Sequence, residues 1–125
     1  MNAFPTIFPA IRYRDPRAAI EFLEAAFDAE RHAVYEDETV VHHAEVRLGN
    51  GMVMIGTGEP TRGGSIYVVV DAPDEHCDRA RAAGAEIVQE PHDTDYGSRD
   101  YGARDPEGYA WYFGTYQPFA VSVHA

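Results

Sequence analysis

The chain has 125 residues, a single cysteine (Cys77) and few basic residues. One cysteine cannot form an internal disulfide, which excludes a small fold held together by disulfides. Lys and Arg together number 10 against 21 Asp and Glu, so the formal net charge is −11. Because phosphate backbones are bound by clustered cations, this balance argues against nucleic acid as a partner. The acidic charge either favours a cationic ligand or only keeps the protein in solution.

Long apolar runs are also missing. No stretch approaches the ~20 consecutive apolar residues of a membrane span. Residues 1–5 lack both the basic flank and the apolar core of a signal peptide. We therefore expect a soluble, cytoplasmic protein with no membrane partner. A hydrophobic content of 45% over 125 residues suffices for one core, and so for one domain over residues 1–125.

The chain contains the same order of strand, helix and turn patterns twice. An extended run that ends at Asp15 is followed by Pro16 and a helical stripe. The same order returns at Asp71, 56 residues later. The two glycines that mark hairpin turns, Gly51 and Gly108, are 57 residues apart. This repeat predicts two copies of one β-α-β-β-β module.

The predicted fold class is therefore α+β. We expect two tandem βαβββ modules, the first at about 4–58 and the second at about 64–118, that form a curved mixed sheet around a cavity. A helix covers one face of each sheet, so the other face must find a partner or line the cavity.

The first helix is the clearest single element. Asp15 is a good N-cap, and Pro16 suits the first helical position. Ile20, Leu23 and Phe27 then recur at helical spacing. The pattern predicts a helix from Pro16 to Phe27 whose apolar stripe belongs to the core. By strand alternation, Trp111 in the last strand is expected to face the helices as well.

The stretches His43-Ala44-Glu45-Val46, Ala82-Ala83-Gly84-Ala85-Glu86 and Tyr101-Gly102-Ala103-Arg104-Asp105-Pro106-Glu107-Gly108, together with the repeated module, carry a resemblance. The chain resembles the glyoxalase/bleomycin-resistance/extradiol-dioxygenase superfamily, also called vicinal oxygen chelate proteins. Within it, the chain looks like an uncharacterised bacterial glyoxalase-like subgroup. The resemblance spans essentially the whole chain, and it implies a small-molecule ligand and a homodimer.

Metal-dependent members of this family place one ligand on the first and one on the last strand of each module. Here the resemblance puts Phe8 and Ser65 at the first-strand positions, and Ile55 and Tyr112 at the last-strand positions. None of the four is a histidine or a carboxylate, which are the usual ligands of divalent metals. We therefore expect no metal site at these positions and no cofactor.

The strand phase that points these four positions inward predicts the lining of the cavity. The lining is apolar and aromatic with one cation, and consists of Phe8, Arg12, Val53, Ile55, Ser65, Tyr67, Val69 and Tyr112. Such a wall suits a flat organic ligand. Arg12 either binds a carboxylate or enolate of that ligand or pairs with an acidic wall residue such as Glu45.

His43 and Glu45 are the weak candidates for catalytic residues. At a spacing of two they point to the same face of a strand. One interpretation is a hydrogen-bonded pair that supports the structure or orients a ligand. The other is that Glu45 holds His43 as a general base.

Two functions follow. The first is a metal-free protein that binds and sequesters an aromatic or cationic small molecule, as in the bleomycin-resistance branch that the chain resembles. The alternative is a lyase, isomerase or dioxygenase that uses a displaced metal site or metal-free acid-base chemistry through His43 and Glu45. The sequence names neither the ligand nor the reaction.

Overall fold

The computed structural model describes residues 4–61 and 63–120. The first module contains β1 (Ala10–Tyr13), α1 (Pro16–Phe27), β2 (Glu30–Glu36), β3 (Val41–Leu48) and β4 (Gly51–Thr57). The second contains β5 (Ile66–Val69), α2 (Pro73–Ala82), β6 (Glu86–Asp93), β7 (Arg99–Arg104) and β8 (Ala110–Gly114), followed by a 3-10 turn at Pro118–Ala120. The predicted α+β fold of two tandem βαβββ modules is confirmed. Neither α1 nor α2, the helices of the described ranges, is long and apolar enough to cross a membrane.

Each module forms its own four-stranded sheet, and the two sheets have the same topology. The strand order is β1-β4-β3-β2 in the first and β5-β8-β7-β6 in the second. The first strand of each module runs parallel to the last, and the other pairs are antiparallel. The crossover that a parallel pair needs is supplied by the helix that follows the first strand.

Helix α1 has the predicted bounds. The Asp15 side chain accepts a hydrogen bond from the Ala18 amide at 3.2 Å, which caps the first turn. Ile20, Leu23 and Phe27 are at most 2% exposed. Burying each of these side chains contributes roughly 1.5–3 kcal/mol.

The helix-facing sides of both sheets share one core. Helix α1 packs against α2, and the Phe27 ring lies 5.4 Å from Trp111 and 4.7 Å from Phe113. Both of these β8 side chains are fully buried, so the prediction that Trp111 faces the helices is confirmed. Because this core is common to the two modules, each sheet has a second face that points away from it.

The turn between β7 and β8 ties the modules together through Asp105. The Asp105 carboxylate accepts hydrogen bonds from the Tyr13 hydroxyl at 2.6 Å and from the Trp111 indole N–H at 3.0 Å. It also accepts from the backbone amides of Glu107 and Tyr109. Burial, together with the Asp105 charge, raises the pKa of Tyr13 far above its ordinary value. The hydroxyl is therefore a permanent donor to this carboxylate.

Glu107, in the same turn, reaches the start of α1. Its carboxylate accepts from the backbone amides of Arg14 at 2.6 Å and Asp15 at 2.9 Å. The Tyr109 hydroxyl adds a bond to the Arg12 carbonyl at 2.7 Å. The Asp-Pro-Glu-Gly turn of module two thus holds the end of β1 in module one.

Candidate functional site

The face of the first sheet that points away from the helices is called the first open face here. Ala44 and Val46 of β3 are fully buried against the core, so His43 and Glu45 point the opposite way. The first open face consists of Ala10 and Arg12 on β1, Tyr35 on β2, His43, Glu45 and Arg47 on β3, and Met52, Met54 and Gly56 on β4.

His43 and Glu45 form a pair on this face, as their spacing predicts. The His43 Nε2 and Glu45 Oε2 atoms are 2.9 Å apart. The other Glu45 oxygen lies 3.9 Å from His32 Nε2, and the His43 ring stacks on Tyr35 with 5.9 Å between ring centroids. The carboxylate thus holds the His43 ring in one orientation, which serves either a structural role or acid-base chemistry.

Arg12 lies at the edge of a hollow on the first open face. The hollow has a volume of about 350 Å³, and its wall includes Ala10, His43, Met54 and Gly56. The aliphatic part of Arg12 crosses Gly58, where an added Cβ would lie only 2.8 Å from Arg12 Cδ. Within residues 4–61 and 63–120 the guanidinium has no hydrogen bond or ion pair, so the pair with Glu45 that the sequence left open is not formed.

The matching surface of the second sheet is called the second open face. It consists of Tyr67 and Val69 on β5, Ala110 and Tyr112 on β8, and Gly102 and Asp100 on β7. The Tyr112 ring lies against Gly102, where a Cβ would come within 2.6 Å of the ring. Tyr67 and Val69 are 38% and 41% exposed.

Two predicted cavity residues face the other way. Val53 and Ile55 are 3% and 1% exposed and belong to the core. Val53 pairs with Val46, and Ile55 with Ala44, both of which face the helices. The predicted phase of β4 was thus wrong by one residue, and a shift of one residue reverses every side chain of a strand. Met54 takes the place on the open face that the sequence assigned to Ile55.

Phe8 and Ser65 lie just before β1 and β5 rather than in them. Phe8 is 39% exposed and lines a separate hollow of about 620 Å³ together with His32 and Met52. Ser65 is exposed. Of the predicted residues, the structure therefore brings Arg12 and His43 to one hollow with Glu45 beside it, and it places Tyr67 next to Tyr112 on the second sheet.

Asp100 is a residue that the sequence suggested only as part of a salt-bridged rim with Arg99 and Arg104, and not as part of the cavity. It is 8% exposed and turns towards the second open face, where its Oδ1 accepts a hydrogen bond from the Tyr67 hydroxyl at 2.9 Å. Its neighbour Arg99 instead bonds Asp74 and Asp93. The spacing of Ser98 and Asp100 places them on one strand face, but the partner Tyr67 is 33 residues away in sequence, so only the β5-β8-β7 arrangement brings it near.

The residues at the family's metal positions do not fit a divalent metal ion. Ile55 is in the core, Phe8 and Ser65 precede their strands, and Tyr112 covers Gly102. With the phase of β4 corrected, the last-strand position falls on Met54, a soft thioether that divalent metals seldom use. In the described part of the chain, no three His, Cys, Asp or Glu side chains are grouped so as to hold a metal ion.

Comparison with known proteins identifies the family. The model of the Glyoxalase/Bleomycin resistance protein/Dioxygenase superfamily matches residues 7–113. The chain belongs to this superfamily. An uncharacterised protein of Mycobacterium tuberculosis is 29% identical, with 91% of this chain and 76% of that protein covered. A Mycobacterium bovis counterpart is also 29% identical, over 91% of this chain and 85% of its own.

Solved structures of the superfamily agree. TioX from Micromonospora sp. ML1 is 30% identical with a TM-score of 0.77, and the match covers 96% of this chain and all of TioX. Glyoxalase I from Zea mays matches with a TM-score of 0.74 at 18% identity, over 86% of this chain and 43% of that protein. The likeness to the maize enzyme concerns the fold alone.

Proposed function

We propose that this superfamily member is a metal-free protein that binds and sequesters an aromatic or cationic small molecule. The ligand lies on the open faces of the sheets, which a cytoplasmic homodimer covers. The observation that carries the proposal is the hollow of about 350 Å³ beside the His43–Glu45 pair and the Arg12 guanidinium, which pairs with no residue of 4–61 or 63–120.

The chemistry of the first open face supports an aromatic ligand with an acidic oxygen. Methionine and aromatic side chains provide adaptable apolar contacts, here from Met54 and Tyr35. A guanidinium without a protein partner offers its full fork of donors to a carboxylate or enolate. The hydrogen-bonded His43 edge adds one more polar contact. An apolar wall with few convergent polar groups is the usual form of a small-molecule site.

Exposure of both open faces supports the homodimer. The helices cover only the inner sides of the sheets, and large side chains such as Tyr35, Tyr67 and Val69 remain 38–59% exposed. Apolar sheet faces of this kind are commonly covered by a second copy of the chain. A groove between two such faces would enclose a ligand far better than one open sheet does.

The test is binding of naphthoate and its neutral analogue naphthamide, measured by isothermal titration calorimetry. Arg12→Gln is expected to weaken naphthoate binding by about tenfold or more, since hydrogen bonds to charged groups contribute about 1.5–3 kcal/mol. Naphthamide binding should change little. Arg17→Gln is the matched control, because Arg17 is also exposed and loses the same charge but lies on α1, away from both open faces. Absence of binding by both probes, or an equal loss in the Arg17 variant, contradicts the proposal.

The 2.9 Å His43–Glu45 contact favours one second candidate, a lyase or isomerase that works without a metal. An oriented imidazole near an unpaired guanidinium can remove a proton next to a carbonyl while the cation stabilises the enolate. Deuterium uptake from heavy water by a panel of α-keto acids is the assay. Uptake that disappears in His43→Gln would establish this candidate in place of simple binding.

Metal content separates both candidates from a metal-dependent enzyme, including one with a displaced site. Untagged protein is incubated with zinc, manganese, iron(II) or nickel, desalted and examined by mass spectrometry. We expect no stoichiometric retention, because the family positions hold Phe8, Ser65, Met54 and Tyr112. Retention of one ion per chain that survives desalting would overturn the metal-free proposal.

A further inference from the structure

We propose that the second open face binds a protonated amine through the Asp100 carboxylate and the rings of Tyr67, Tyr96 and Tyr116. This inference rests on the proposed function and specifies one chemical group of the ligand. It separates the cationic group, bound by the second sheet, from the acidic oxygen, bound by Arg12 of the first.

Asp100 is a buried carboxylate without a cationic partner. It is 8% exposed, and in residues 4–61 and 63–120 it forms no ion pair, since the adjacent Arg99 is bound to Asp74 and Asp93. Its Oδ1 atom accepts from the Tyr67 and Ser98 hydroxyls. Burying an ionised carboxylate with only neutral donors is unfavourable, and a cation that comes close would relieve that cost.

The second oxygen of Asp100 has room for another donor. Within the described ranges, Oδ2 has one hydrogen bond, from the Tyr96 hydroxyl at a long 3.3 Å. A carboxylate oxygen has two lone pairs and accepts shorter bonds, near 2.7–2.9 Å, from charged nitrogen donors. The free capacity of the carboxylate is therefore on the side of the exposed Tyr96 ring.

Glycine at position 114 allows this arrangement. A Cβ on Gly114 would lie 1.8 Å from Asp100 Oδ1 and 2.4 Å from the Tyr67 hydroxyl, so no other residue fits there without moving both groups. The Tyr67 hydroxyl accepts from the Tyr116 amide at 3.0 Å, and it therefore gives its own proton to Asp100. Burial raises the pKa of Tyr67, which keeps that proton in place.

Three tyrosines lie at or next to the carboxylate, since the Tyr67 and Tyr96 hydroxyls bond Asp100 and Tyr116 contacts Tyr96. Tyr96 and Tyr116 meet edge to face with 5.4 Å between their centroids, and Tyr96 and Tyr67 are 65% and 38% exposed. The face of an aromatic ring attracts a cation by about 0.5–2 kcal/mol. The net charge of −11 adds a long-range attraction for cations. A carboxylate among tyrosine rings therefore suits an ammonium group and disfavours an anion.

The experiment compares phenethylammonium with phenethyl alcohol, which has the same ring and chain but no charge. Both are titrated into the full-length protein at pH 7 and followed by NMR shifts of the tyrosine rings. The wild type should bind the ammonium compound about tenfold more tightly, in line with the energy of a charge-assisted bond. Asp100→Asn should remove this preference, and Asp95→Asn should retain it. Asp95 is an exposed carboxylate in the loop before β7, next to Tyr96, so it controls for the loss of charge.

The asparagine variant retains an oxygen that can accept from Tyr67 and Ser98, and a circular dichroism spectrum checks its fold. If it does not fold, Tyr96→Ala takes its place, since this ring is mostly exposed, and the ammonium preference should fall several-fold. Equal affinity of the wild type for both probes, or a preference that survives in Asp100→Asn and Tyr96→Ala, overturns the inference. If naphthoate binding still depends on Arg12, such a result leaves the proposed function standing. If naphthoate does not bind but the preference for the ammonium compound is retained, the further inference stands and the acidic-oxygen part of the proposed function fails.

Discussion

The Tyr13 hydroxyl donates a hydrogen bond of 2.6 Å to the Asp105 carboxylate across a separation of 92 residues. Both residues are buried, and the bond connects the end of β1 in module one to the last hairpin of module two. The Asp-Pro-Glu-Gly turn therefore holds the two modules together in this protein, and its contribution to the free energy of unfolding can be measured.

Tyr13→Phe should lower the free energy of unfolding by about 1–3 kcal/mol, because it removes one donor from a buried charged acceptor. Trp111 and the backbone amides still satisfy Asp105, so the protein should remain folded. Urea denaturation measures the difference. Tyr35→Phe, which removes an exposed hydroxyl on the first open face, is the control and should change stability by much less. Equal effects of the two substitutions would contradict the claim that the Tyr13–Asp105 bond stabilises the contact between the modules.

The lowered pKa of His76 predicts that the folded protein loses stability at low pH. Burial lowers this pKa below the ordinary 6.5, while the backbone hydrogen bond with Phe27 and the Asp28 charge oppose this shift and Arg79 adds a smaller lowering. The His76 ring nitrogen bonds the Tyr101 hydroxyl. The unfolded chain therefore binds this proton more readily than the folded one. The contribution of His76 is fully present above pH 6.5 and is lost as the pH falls through the lower, folded-state pKa.

His76→Gln should accordingly flatten the dependence of stability on pH between about 7.5 and 5. Urea midpoints at several pH values measure the slope. His92→Gln is the comparison, at a half-buried imidazole that bonds the Glu90 carbonyl, and it should leave the slope as in the wild type. A wild-type slope retained in the His76 variant would show that other groups account for the acid sensitivity.

If the second open face is covered in a homodimer, a charge introduced on that face should prevent the dimer from forming. Val69→Glu places a carboxylate on a side chain that is 41% exposed there, and burying it against a second copy would be costly. We expect a homodimer in the wild type and a monomer in the variant by sedimentation equilibrium. Phe119→Glu, at a residue 98% exposed and outside both open faces, should leave the assembly unchanged. A monomeric wild type would refute the dimer itself.

The close contact between Gly102 and the Tyr112 ring predicts that a larger residue at position 102 destabilises the protein. Gly102→Ala should destabilise the protein by about 1–3 kcal/mol, the usual cost of overpacking, because its Cβ would lie 2.6 Å from the ring. Gly56→Ala is the matched control, since its Cβ would meet only the His42 carbonyl at an ordinary 3.8 Å. Thermal unfolding of both variants gives the comparison. An unaffected Gly102 variant would mean that Tyr112 moves aside freely.

Local sequence patterns were sufficient to predict the two modules and the bounds of α1. The Asp15 cap, Pro16 and the stripe that ends at Phe27 act within a few residues of one another, so their effect is legible in sequence. The spacing of His43 and Glu45 likewise predicted one strand face, because side chains alternate with a period of two. The phase of β4 was wrong for the converse reason. Val53 and Ile55 are both apolar beside Met52 and Met54, so composition did not distinguish the two faces of β4.

The sequence by itself determined the repeated βαβββ unit, the helices, and the side chains whose faces follow from spacing alone. Tertiary structure alone decided that Arg12 lies at a hollow with His43, without a partner among the described residues, and that Asp100 contacts Tyr67 and Tyr96. These contacts join residues of different strands, and they depend on register, on the Gly58 and Gly114 backbones, and on how neighbouring strands are ordered. None of these quantities is a local property of the chain.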